Sequence, residues 1–351
     1  MKMSPLIRKF LLVISKGYTV AVSIRNRLFD KGWLKIHRLR NPVISIGNLT
    51  LGGTGKTPAV IEIGKILQRS GYTVSVLLRG YKGNYGGNPL LVSDGKDLKT
   101  TSLVAGDEAL VIAKNLPGAL VTVSKDRVKA GKWVEQWSSA NIHLLDDGFQ
   151  HRKLYRSLNL LLIDVTNPFG SEYLFPAGFL REPLKELRRA DAVILTRTQN
   201  NVNYQPLIDQ LHFLKSDIPC FLATQSLQSA SEQSSQGTLL SFPLTGLRAL
   251  AFAGIANPNQ FFELLRKYQV DITKTICFRD HHRYTPRDLA KIQKQCQELK
   301  INTVITTEKD AENLPANALN GLRVVTVKVN FQFNGSGLSQ MLSRTMKANL
   351  K

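Results

Sequence analysis

The hydrophobic positions of the chain fall mainly into short continuous runs separated by helical stretches. From residue 43 onward the runs are PVISIG, TVSVLLRG, ALVTVS, IHLLDD, LNLLLIDV and DAVILTR. Strands covered by helices on both faces carry such unbroken apolar runs, whereas half-exposed strands alternate between apolar and polar residues. The pattern therefore predicts an α/β fold with a doubly wound, mostly parallel sheet.

This rhythm lapses between about residues 200 and 245 and then resumes. The segment TQSLQSASEQSSQG is rich in Ser and Gln, which is typical of a linker or an exposed loop. After it, RALAFAGI, DITKTICF, NTVITT and LRVVTVKV predict strands, and Thr285 followed by Pro286 predicts a helix start. We therefore expect an N-terminal helix over 1–30, an α/β domain over 31–205, a linker region over 206–245 and a smaller C-terminal α/β domain over 246–351.

Residues 4–29 predict a basic amphipathic helix. Its apolar face carries Ile7, Phe10, Leu11, Ile14, Tyr18, Ala21, Val22 and Leu28, and Lys9, Lys16 and Arg27 lie opposite. Arg25 falls on the apolar side and would have to snorkel. The longest uncharged stretch, Gly17 to Ile24, is far shorter than the roughly 20 apolar residues that span a bilayer. The helix suits a membrane interface, and it also suits packing on the protein's own core.

Composition narrows the choice of partners. The chain has 351 residues, with 47 Lys+Arg against 26 Asp+Glu and a net charge of +21. Such a surplus indicates an anionic partner, which is nucleic acid, an acidic membrane surface or a phosphorylated substrate. The three cysteines lack a C-x-x-C spacing and the histidines lack zinc-site spacings, so we expect neither a disulfide framework nor a zinc site.

Residues 48–58, NLTLGGTGKTP, follow a predicted strand and open a predicted helix from Pro58 to about Arg69, as a phosphate-binding loop does. Gly55, Lys56 and Thr57 fit that motif, whereas Thr50 stands at the first glycine position. We expect Lys56 to reach the β- and γ-phosphates and Thr57 to contact Mg²⁺. The predicted nucleotide site comprises Thr50, Leu51, Gly52, Gly53, Thr54, Gly55, Lys56 and Thr57. The fold is then P-loop NTPase-like, and the alternative is a glycine-rich turn that resembles the motif by chance.

Carboxylates and histidines near predicted element ends are the candidates for chemistry. Asp146 and Asp147 end an apolar strand, and open α/β sheets bind ligands at the edge where such strands end. Asp146 is therefore the preferred Mg²⁺ ligand, and the alternative is an ordinary Asp-Asp-Gly turn. Asp107 follows a glycine and suits either a helix cap or a catalytic base. The segment FRDHHRYTPRD, with His281, suits either a polar loop or an imidazole that orients a base.

Two further segments carry candidate ligands for anions or sugars. Arg79 ends the strand in LLRGYKG, where it is placed to bind an anionic or sugar substrate or to lie in a surface turn. Arg181 and Glu182 lead into a basic helix. Glu182 is placed to accept hydrogen bonds from ribose hydroxyls or to stand at a solvated helix entrance.

Taken together, these motifs resemble one family, tetraacyldisaccharide 4′-kinase, the lipid A 4′-kinase of Gram-negative bacteria. The resemblance runs from residue 45 to 311 through SIGNLTLGGTGKTP, LLRGYKG, GDEA, LLDDGFQHRKL, PAGFLREP, DAVILTR, FRDHHRYTPRDL and TTEKDA. Thr50 in place of the first glycine is usual in this family. The resemblance implies transfer of the γ-phosphate of ATP, with Mg²⁺, to the 4′-hydroxyl of an acylated glucosamine disaccharide 1-phosphate. It also implies a site of action at the cytoplasmic face of the inner membrane, on the membrane surface, with neither nucleic acid nor an obligate protein partner.

The resemblance further implies a role for individual residues. Asp107 matches the proposed catalytic base, and His281 matches the residue that pairs with it across a domain cleft. Lys56 and Asp147 complete the expected catalytic set, and Thr57 and Asp146 the expected metal ligands. Nucleotide contacts are expected at residues 50–57, Arg181 and Glu182, and substrate contacts at Asn48, Arg79, Gln150 and His151.

A P-loop GTPase or ATPase acting as a metallochaperone or a nucleic-acid-associated switch is the competing hypothesis. The positive charge permits it, but the chain has no N-K-x-D motif and no known nucleic-acid module. A third hypothesis is a soluble small-molecule kinase whose N-terminal helix belongs to the core.

Overall fold

The computed structural model describes residues 5–171, 173–233, 239–241, 244–315 and 318–349. Its helices are α1 Pro5–Asp30, α2 Lys56–Arg69, α3 Ser102–Ala105, α4 Asp107–Asn115, α5 Arg127–Trp137, α6 Gln205–Leu214, α7 Pro258–Lys267, α8 Pro286–Glu298, α9 Glu308–Ala311 and α10 Gly337–Asn349. Its strands are β1 Val43–Asn48, β2 Val74–Leu78, β3 Leu90–Ser93, β4 Leu120–Val123, β5 Ile142–Asp146, β6 Leu158–Asp164, β7 Ala192–Thr196, β8 Cys220–Gln233, β9 Leu239–Ser241, β10 Arg248–Ala253, β11 Asp271–Cys277, β12 Thr303–Thr307 and β13 Arg323–Phe333. A 3₁₀ turn spans Leu184–Arg189.

The strands of the described residues form one sheet. Their order is β11-β10-β12-β13-β8-β7-β6-β1-β5-β2-β4-β3, and β9 pairs with β8. Adjacent strands are parallel except in the pairs β3–β4, β8–β9 and β8–β13. Parallel strands that follow one another in the chain need crossover connections, which the helices supply. The prediction of a doubly wound, mostly parallel α/β sheet is confirmed.

Strand β8 joins two parallel regions of this sheet. Residues 220–223 pair in parallel with β7, and residues 223–232 pair antiparallel with β13. The prediction that the Ser/Gln-rich segment is a linker or a loop is therefore wrong for residues 224–233. Gln225 and Gln228 of this strand line a cleft, so the strand lacks the apolar pattern by which strands are recognised. Residues 234–237 of the segment lie outside the described residues.

Separate apolar clusters pack on the two parallel regions. The largest cluster covers β1, β2, β4 and β5 with α2 and α4. Two others cover β10, β12 and β13, one with α7 and one with α8. Helix α10 contributes Leu338, Leu342 and Met346 to the first cluster, although it lies within the predicted C-terminal domain. The limits of the two domains stay a prediction, and α10 packs with the first region.

Helix α1 packs on the protein along one face and exposes another. Ser15, Val22, Asn26 and Phe29 are buried, and Ser15 Oγ donates to the Leu174 carbonyl at 2.7 Å. The exposed apolar face, with side chains 42–79% exposed, comprises Leu6, Ile7, Phe10, Val13, Ile14, Val20 and Ile24. The expected stripe is thus divided between two faces. No helix in the described ranges is long and apolar enough to cross a membrane.

Candidate functional site

Loops at the carboxyl ends of parallel strands line one cavity of about 840 Å³. They follow β1, β2, β5, β6 and β7 in the first parallel region and β10, β11 and β12 in the second. Ligands in open α/β sheets bind at this edge. Because both regions contribute residues, the continuous sheet through β8 sets the distance between the two walls of the cavity.

The glycine-rich loop forms one wall of this cavity, and all of residues 50–57 line it. Gly52 and Gly55 have φ of 108° and 84°, in the left-handed region that favours glycine. A Cβ on Gly55 would lie 2.8 Å from Gln225 Nε2, the end of a flexible side chain across the cleft, so the positive φ is the stronger requirement for glycine there. Helix α2 begins at Lys56 rather than at Pro58, and its unpaired first N–H groups follow directly on the loop.

Thr50 does not need to be glycine in this arrangement. It is absent from the residues with positive φ and forms an antiparallel bridge with Leu180. On either side, Leu51 N donates to the Phe179 carbonyl at 2.6 Å and Arg181 N to the Leu49 carbonyl at 2.7 Å. The segment 179–181 therefore fixes the start of the loop by backbone pairing, which an ordinary L-residue can make.

A charged network connects this loop to the end of β5. Arg181 donates two hydrogen bonds to Asp147, at 2.6 and 2.9 Å, and Lys56 Nζ lies 3.7 Å from Asp147 Oδ1. Burial raises the pKa of Asp147, but Lys56 and Arg181 outweigh it and hold that pKa well below its usual range. Asp147 is thus ionised and lies between two cations that line the cavity beside the glycine-rich loop.

Asn48 is fully buried and supports the loop from below. Its Nδ2 donates to the Thr50 carbonyl at 2.7 Å, and its Oδ1 accepts from Lys56 and Arg181, each at 3.3 Å. Asn48 does not line the cavity and these bonds engage both ends of its amide, so its expected contact with substrate stays a prediction.

Asp146 has the properties of a cation ligand. Burial, with added repulsion from Glu108 and Asp147, raises its pKa to about 7. Its Oδ1 is buried without a hydrogen-bond partner among the described residues, and both Asp146 and Thr57 line the cavity. The described ranges contain no group of three or more His, Cys, Asp or Glu that could hold a metal by itself. Nucleotide-bound Mg²⁺ needs only one or two protein oxygens beside phosphate and water, so this pair fits it.

The structure brings Asp107 and His281 together from positions 174 residues apart. His281 Nδ1 lies 2.8 and 2.9 Å from the two carboxylate oxygens of Asp107, and Asn313 Nδ2 donates to Oδ2 at 3.0 Å. Burial raises the pKa of Asp107, but the His281 bond, the Lys309 charge and Asn313 together lower it below its ordinary value. Asp107 begins α4 and accepts from Glu108 N at 2.8 Å, but the N-cap residue is Gly106 and no side chain caps this helix, so the helix-cap interpretation is wrong.

The candidate substrate residues lie in different surroundings. Arg79 is exposed and lines the cavity, whereas Gln150 and His151 do not. Gln150 donates to the Asn48 carbonyl at 2.9 Å, and His151 Nδ1 lies 2.9 Å from Arg127 Nη2. Burial, with the nearby Arg127 charge, lowers the pKa of His151 to about 3, so its ring is neutral. Gln150 Oε1 and His151 Nε2 are buried and without a partner among the described residues, which leaves each a free polar atom.

Glu182 does not lie where sequence reasoning expected it. It is 1% exposed, does not line the cavity, and pairs with Arg25 at 2.7 Å and with Arg189. Two arginines pair with its carboxylate, and the expected nucleotide contact of Glu182 stays a prediction. Arg25 therefore does not snorkel, since this ion pair fixes α1 to the segment that carries Arg181.

Sequence reasoning assigned no role to several residues that line or support the site. Lys309 lies 3.1 Å from both His281 Nε2 and Glu108 Oε1. Arg197 lines the cavity and donates to the Gly53 carbonyl at 2.5 Å. The TTEKDA motif contains Lys309, so its presence in the resemblance was the available signal. Arg197 had the same kind of signal, because it ends the DAVILTR motif of the resemblance, whereas Arg127 lies in none of those motifs.

Comparison with known proteins places these observations in a family. A family model described as "Tetraacyldisaccharide-1-P 4'-kinase" matches residues 7–347. The chain is 37% identical over 310 residues to a tetraacyldisaccharide 4′-kinase of Geobacter metallireducens, covering 88% of this chain and 89% of that protein. It is 38% identical over 304 residues to a tetraacyldisaccharide 4′-kinase of Pelobacter propionicus, covering 87% and 82%. A crystal structure of the "apo" form of LpxK from Aquifex aeolicus in complex with ATP matches with a TM-score of 0.75 and 32% identity, covering 97% of this chain and 99% of that one.

Proposed function

The chain belongs to the tetraacyldisaccharide 1-phosphate 4′-kinase family and is an ATP-dependent lipid A 4′-kinase, and we propose that its cleft is the site of transfer to the 4′-hydroxyl. The observation that carries the proposal is that His281 lines the same cavity as the glycine-rich loop and contacts Asp107, a buried carboxylate whose neighbours Gly106 and Glu108 also line it. One wall of the cavity is built to bind phosphates, and beside the other lies a carboxylate suited to a proton acceptor. The competing metallochaperone hypothesis is not favoured.

The nucleotide side of the proposal rests on residues 50–57 and the cations beside them. The loop amides and the first turn of α2 are placed to donate to phosphate oxygens, and Lys56 is placed to neutralise the transferred group. Arg181 and Arg197 line the same wall. Phosphoryl transfer depends mostly on positioning and on charge stabilisation, which this wall supplies.

Asp146 and Thr57 are the residues that would hold Mg²⁺. The chemistry that Mg²⁺ would supply there is positive charge that stabilises the charge developing on the transferred phosphate. The buried Oδ1 of Asp146 supports this assignment, because without a cation that oxygen has no hydrogen-bond partner within the described part of the chain.

Asp107 is the proposed acceptor of the 4′-hydroxyl proton. Of the two members of the pair, only the carboxylate remains able to accept, since Nδ1 of His281 faces Asp107 and its Nε2 faces Lys309. His281 orients the carboxylate across the cleft. The two-domain division follows as part of the proposal, because His281 and Lys309 come from the second parallel region and Asp107 from the first.

The exposed apolar face of α1 is the proposed contact with the cytoplasmic face of the inner membrane. Beside it, Tyr173, Phe175 and Phe179 are each about half exposed, and Ser15 ties the helix to Leu174 of this segment. The net charge of +21 suits acidic headgroups, which attract each interfacial Lys or Arg by roughly 1 kcal/mol. With α1 at the membrane surface, the protein would reach the acylated acceptor while the acceptor's acyl chains stay in the bilayer.

The test is transfer of label from γ-³²P-ATP to purified tetraacyldisaccharide 1-phosphate in detergent micelles. We expect a labelled glycolipid that requires both ATP and the acceptor. Matched reactions use γ-³²P-GTP in place of ATP, and an acceptor whose 4′-hydroxyl is already phosphorylated. Nucleotide hydrolysis that prefers GTP and ignores the acceptor would contradict the proposal.

A further inference from the structure

The short helix α9 and the turn after it contact both members of the Asp107–His281 pair. Lys309 Nζ lies 3.1 Å from His281 Nε2, and Asn313 Nδ2 donates to Asp107 Oδ2 at 3.0 Å. The two side chains stand four positions apart, at a spacing that brings residues to one side of a helical turn. One segment therefore reaches the imidazole and the carboxylate together.

Lys309 is held in place as a cation. Its Nζ lies 3.1 Å from Glu108 Oε1 and 3.6 Å from Asp280 Oδ1. Burial lowers the pKa of Lys309, but the carboxylates of Glu108, Asp107 and Asp280 outweigh it and raise that pKa above its ordinary value. An ammonium group has three N–H donors and no acceptor. The contact with His281 can therefore be a hydrogen bond only if Nε2 accepts.

The backbone of α9 is fixed relative to the loop that carries His281. Asp310 is 1% exposed, and its amide donates to Thr307 Oγ1 at 3.1 Å. Its carboxylate accepts from Gly254 N at 2.8 Å, and the Gly254 carbonyl in turn accepts from His281 N at 2.9 Å. Hydrogen bonds through Asp310 and Gly254 therefore fix the backbone at Lys309 relative to the backbone at His281. The 3.1 Å contact between the two side chains follows from this fixed backbone.

The two neighbours of the His281 ring require the same tautomer. An ionised Asp107 only accepts, so Nδ1 must carry the proton, and an ammonium only donates, so Nε2 must present its lone pair. We propose that Lys309 is a positioning residue that holds His281 as the neutral Nδ1–H tautomer and so keeps its N–H on Asp107. The inference rests on the proposed function of the Asp107–His281 pair.

Loss of the ammonium would free the ring. Nε2 lies 3.9 Å from both Glu108 Oε1 and Asp280 Oδ2, so without Lys309 these acceptors favour a proton on Nε2. In the Nε2–H form, the ring would lose the Nδ1–H donor to Asp107. As an imidazolium, it would keep that donor but add a positive charge beside Asp107. The charged and titratable groups around the ring are Asp107 and Glu108 on α4, Asp280 on its own loop, Lys309 on α9, and Tyr81 and Lys82 after β2.

The experiment compares the full-length wild type with Lys309→Met, which removes the charge, and Lys309→Arg, which retains it. Lys114→Met is the matched control, because Lys114 pairs with Glu312 across the same contact between α4 and the α9 turn without an identified contact to His281. Imidazole ¹⁵N NMR of histidine-labelled protein reads the tautomer, and His281→Gln assigns the signal. Label transfer from γ-³²P-ATP gives kcat and KM.

We expect the Nδ1–H form in the wild type, in Lys309→Arg and in Lys114→Met, and its loss in Lys309→Met. We expect kcat of Lys309→Met to fall by about 10- to 100-fold, as for other partners that orient a functional histidine, with the KM for ATP little changed. Lys309→Arg should recover most of this loss.

Three results would overturn the inference. The first is an Nε2–H or doubly protonated His281 ring in the wild type. The second is an unchanged tautomer in folded Lys309→Met. The third is a raised KM for ATP with unchanged kcat in Lys309→Met, which would assign Lys309 to nucleotide binding. An Nε2–H or protonated ring in the wild type would refute the inference even if Lys309→Met does not fold. An inactive wild type with the expected tautomer would instead count against the proposed function alone.

Discussion

Replacing Asp107 and His281 by alanine, singly and together, is predicted to give losses of activity that do not add. The two side chains are 3% and 9% exposed and meet at 2.8 and 2.9 Å, so each depends on the other for its orientation. In the proposed mechanism His281 has no separate contact with the acceptor and acts through the carboxylate. Once Asp107 is absent, removing His281 should therefore cost little more.

The magnitude follows from the role of a general base. Each single substitution should lower kcat by about 10²- to 10⁴-fold, or roughly 3–5 kcal/mol of transition-state stabilisation. Two independent effects would multiply to about 10⁴- to 10⁸-fold in the double variant. A pair that acts as a unit should lose no more than the worse single variant, which corresponds to a coupling energy of about 3 kcal/mol or more.

The assay is the initial rate of label transfer from γ-³²P-ATP to the acylated acceptor in micelles, with purified full-length variants. Urea unfolding of each variant separates loss of catalysis from loss of the fold. Losses that multiply, or normal turnover by Asp107→Ala, would refute the assignment of the pair.

Three further outcomes follow from other parts of the molecule. Phe10→Glu combined with Val13→Glu, on the exposed face of α1, should reduce flotation with anionic vesicles without changing the unfolding midpoint, and unchanged flotation would contradict the membrane contact. Arg25→Met leaves the buried carboxylate of Glu182 with one arginine partner. Because Arg25 is 42% exposed and water can partly replace it, we expect about 1–2 kcal/mol lost in urea unfolding, and an unchanged midpoint would contradict this ion pair. Asp288 closes the capping box of α8, and although burial raises its pKa, the Thr285 bonds outweigh it and lower that pKa to about 2 from 3.8. Ionised Asp288 should contribute about 1 kcal/mol to the free energy of unfolding above pH 3.8, and this contribution should be lost toward pH 2. The difference in unfolding free energy between the wild type and Asp288→Asn should therefore shrink from pH 3.8 to pH 2, and a difference that widens would contradict this.

The sequence predicted those parts of the fold whose burial produces a recognisable pattern of apolar residues. Strands such as β1, β5 and β7 are buried along their whole length, so their apolar runs are unbroken and recognisable. Strand β8 has no such mark, because its long pairing with β13 holds a polar strand whose glutamines line the cleft. Tertiary pairing overrode local composition there.

The same distinction applies to the site. Residues 50–57 are contiguous, so their chemistry could be inferred from spacing together with the predicted strand and helix around them. Spacing could not pair Asp107 with His281, and only the family resemblance did so before the structure showed the contact. The sequence did not reveal the ion pair of Glu182, because its partner Arg25 comes from α1, 157 residues away. Lys309 was missed for the same reason, since its partners are assembled only by the fold.

The position of the transferred phosphate on the acceptor tests most directly whether this protein phosphorylates the 4′-hydroxyl. Product made from ATP and tetraacyldisaccharide 1-phosphate is purified and analysed by ³¹P NMR and fragment mass spectrometry. We expect one new phosphomonoester at the 4′-hydroxyl, with the 1-phosphate retained, and its absence when Asp107→Ala replaces the wild type. Phosphate at another position, or release of free phosphate without any phosphorylated glycolipid, would contradict transfer to the 4′-hydroxyl at this site.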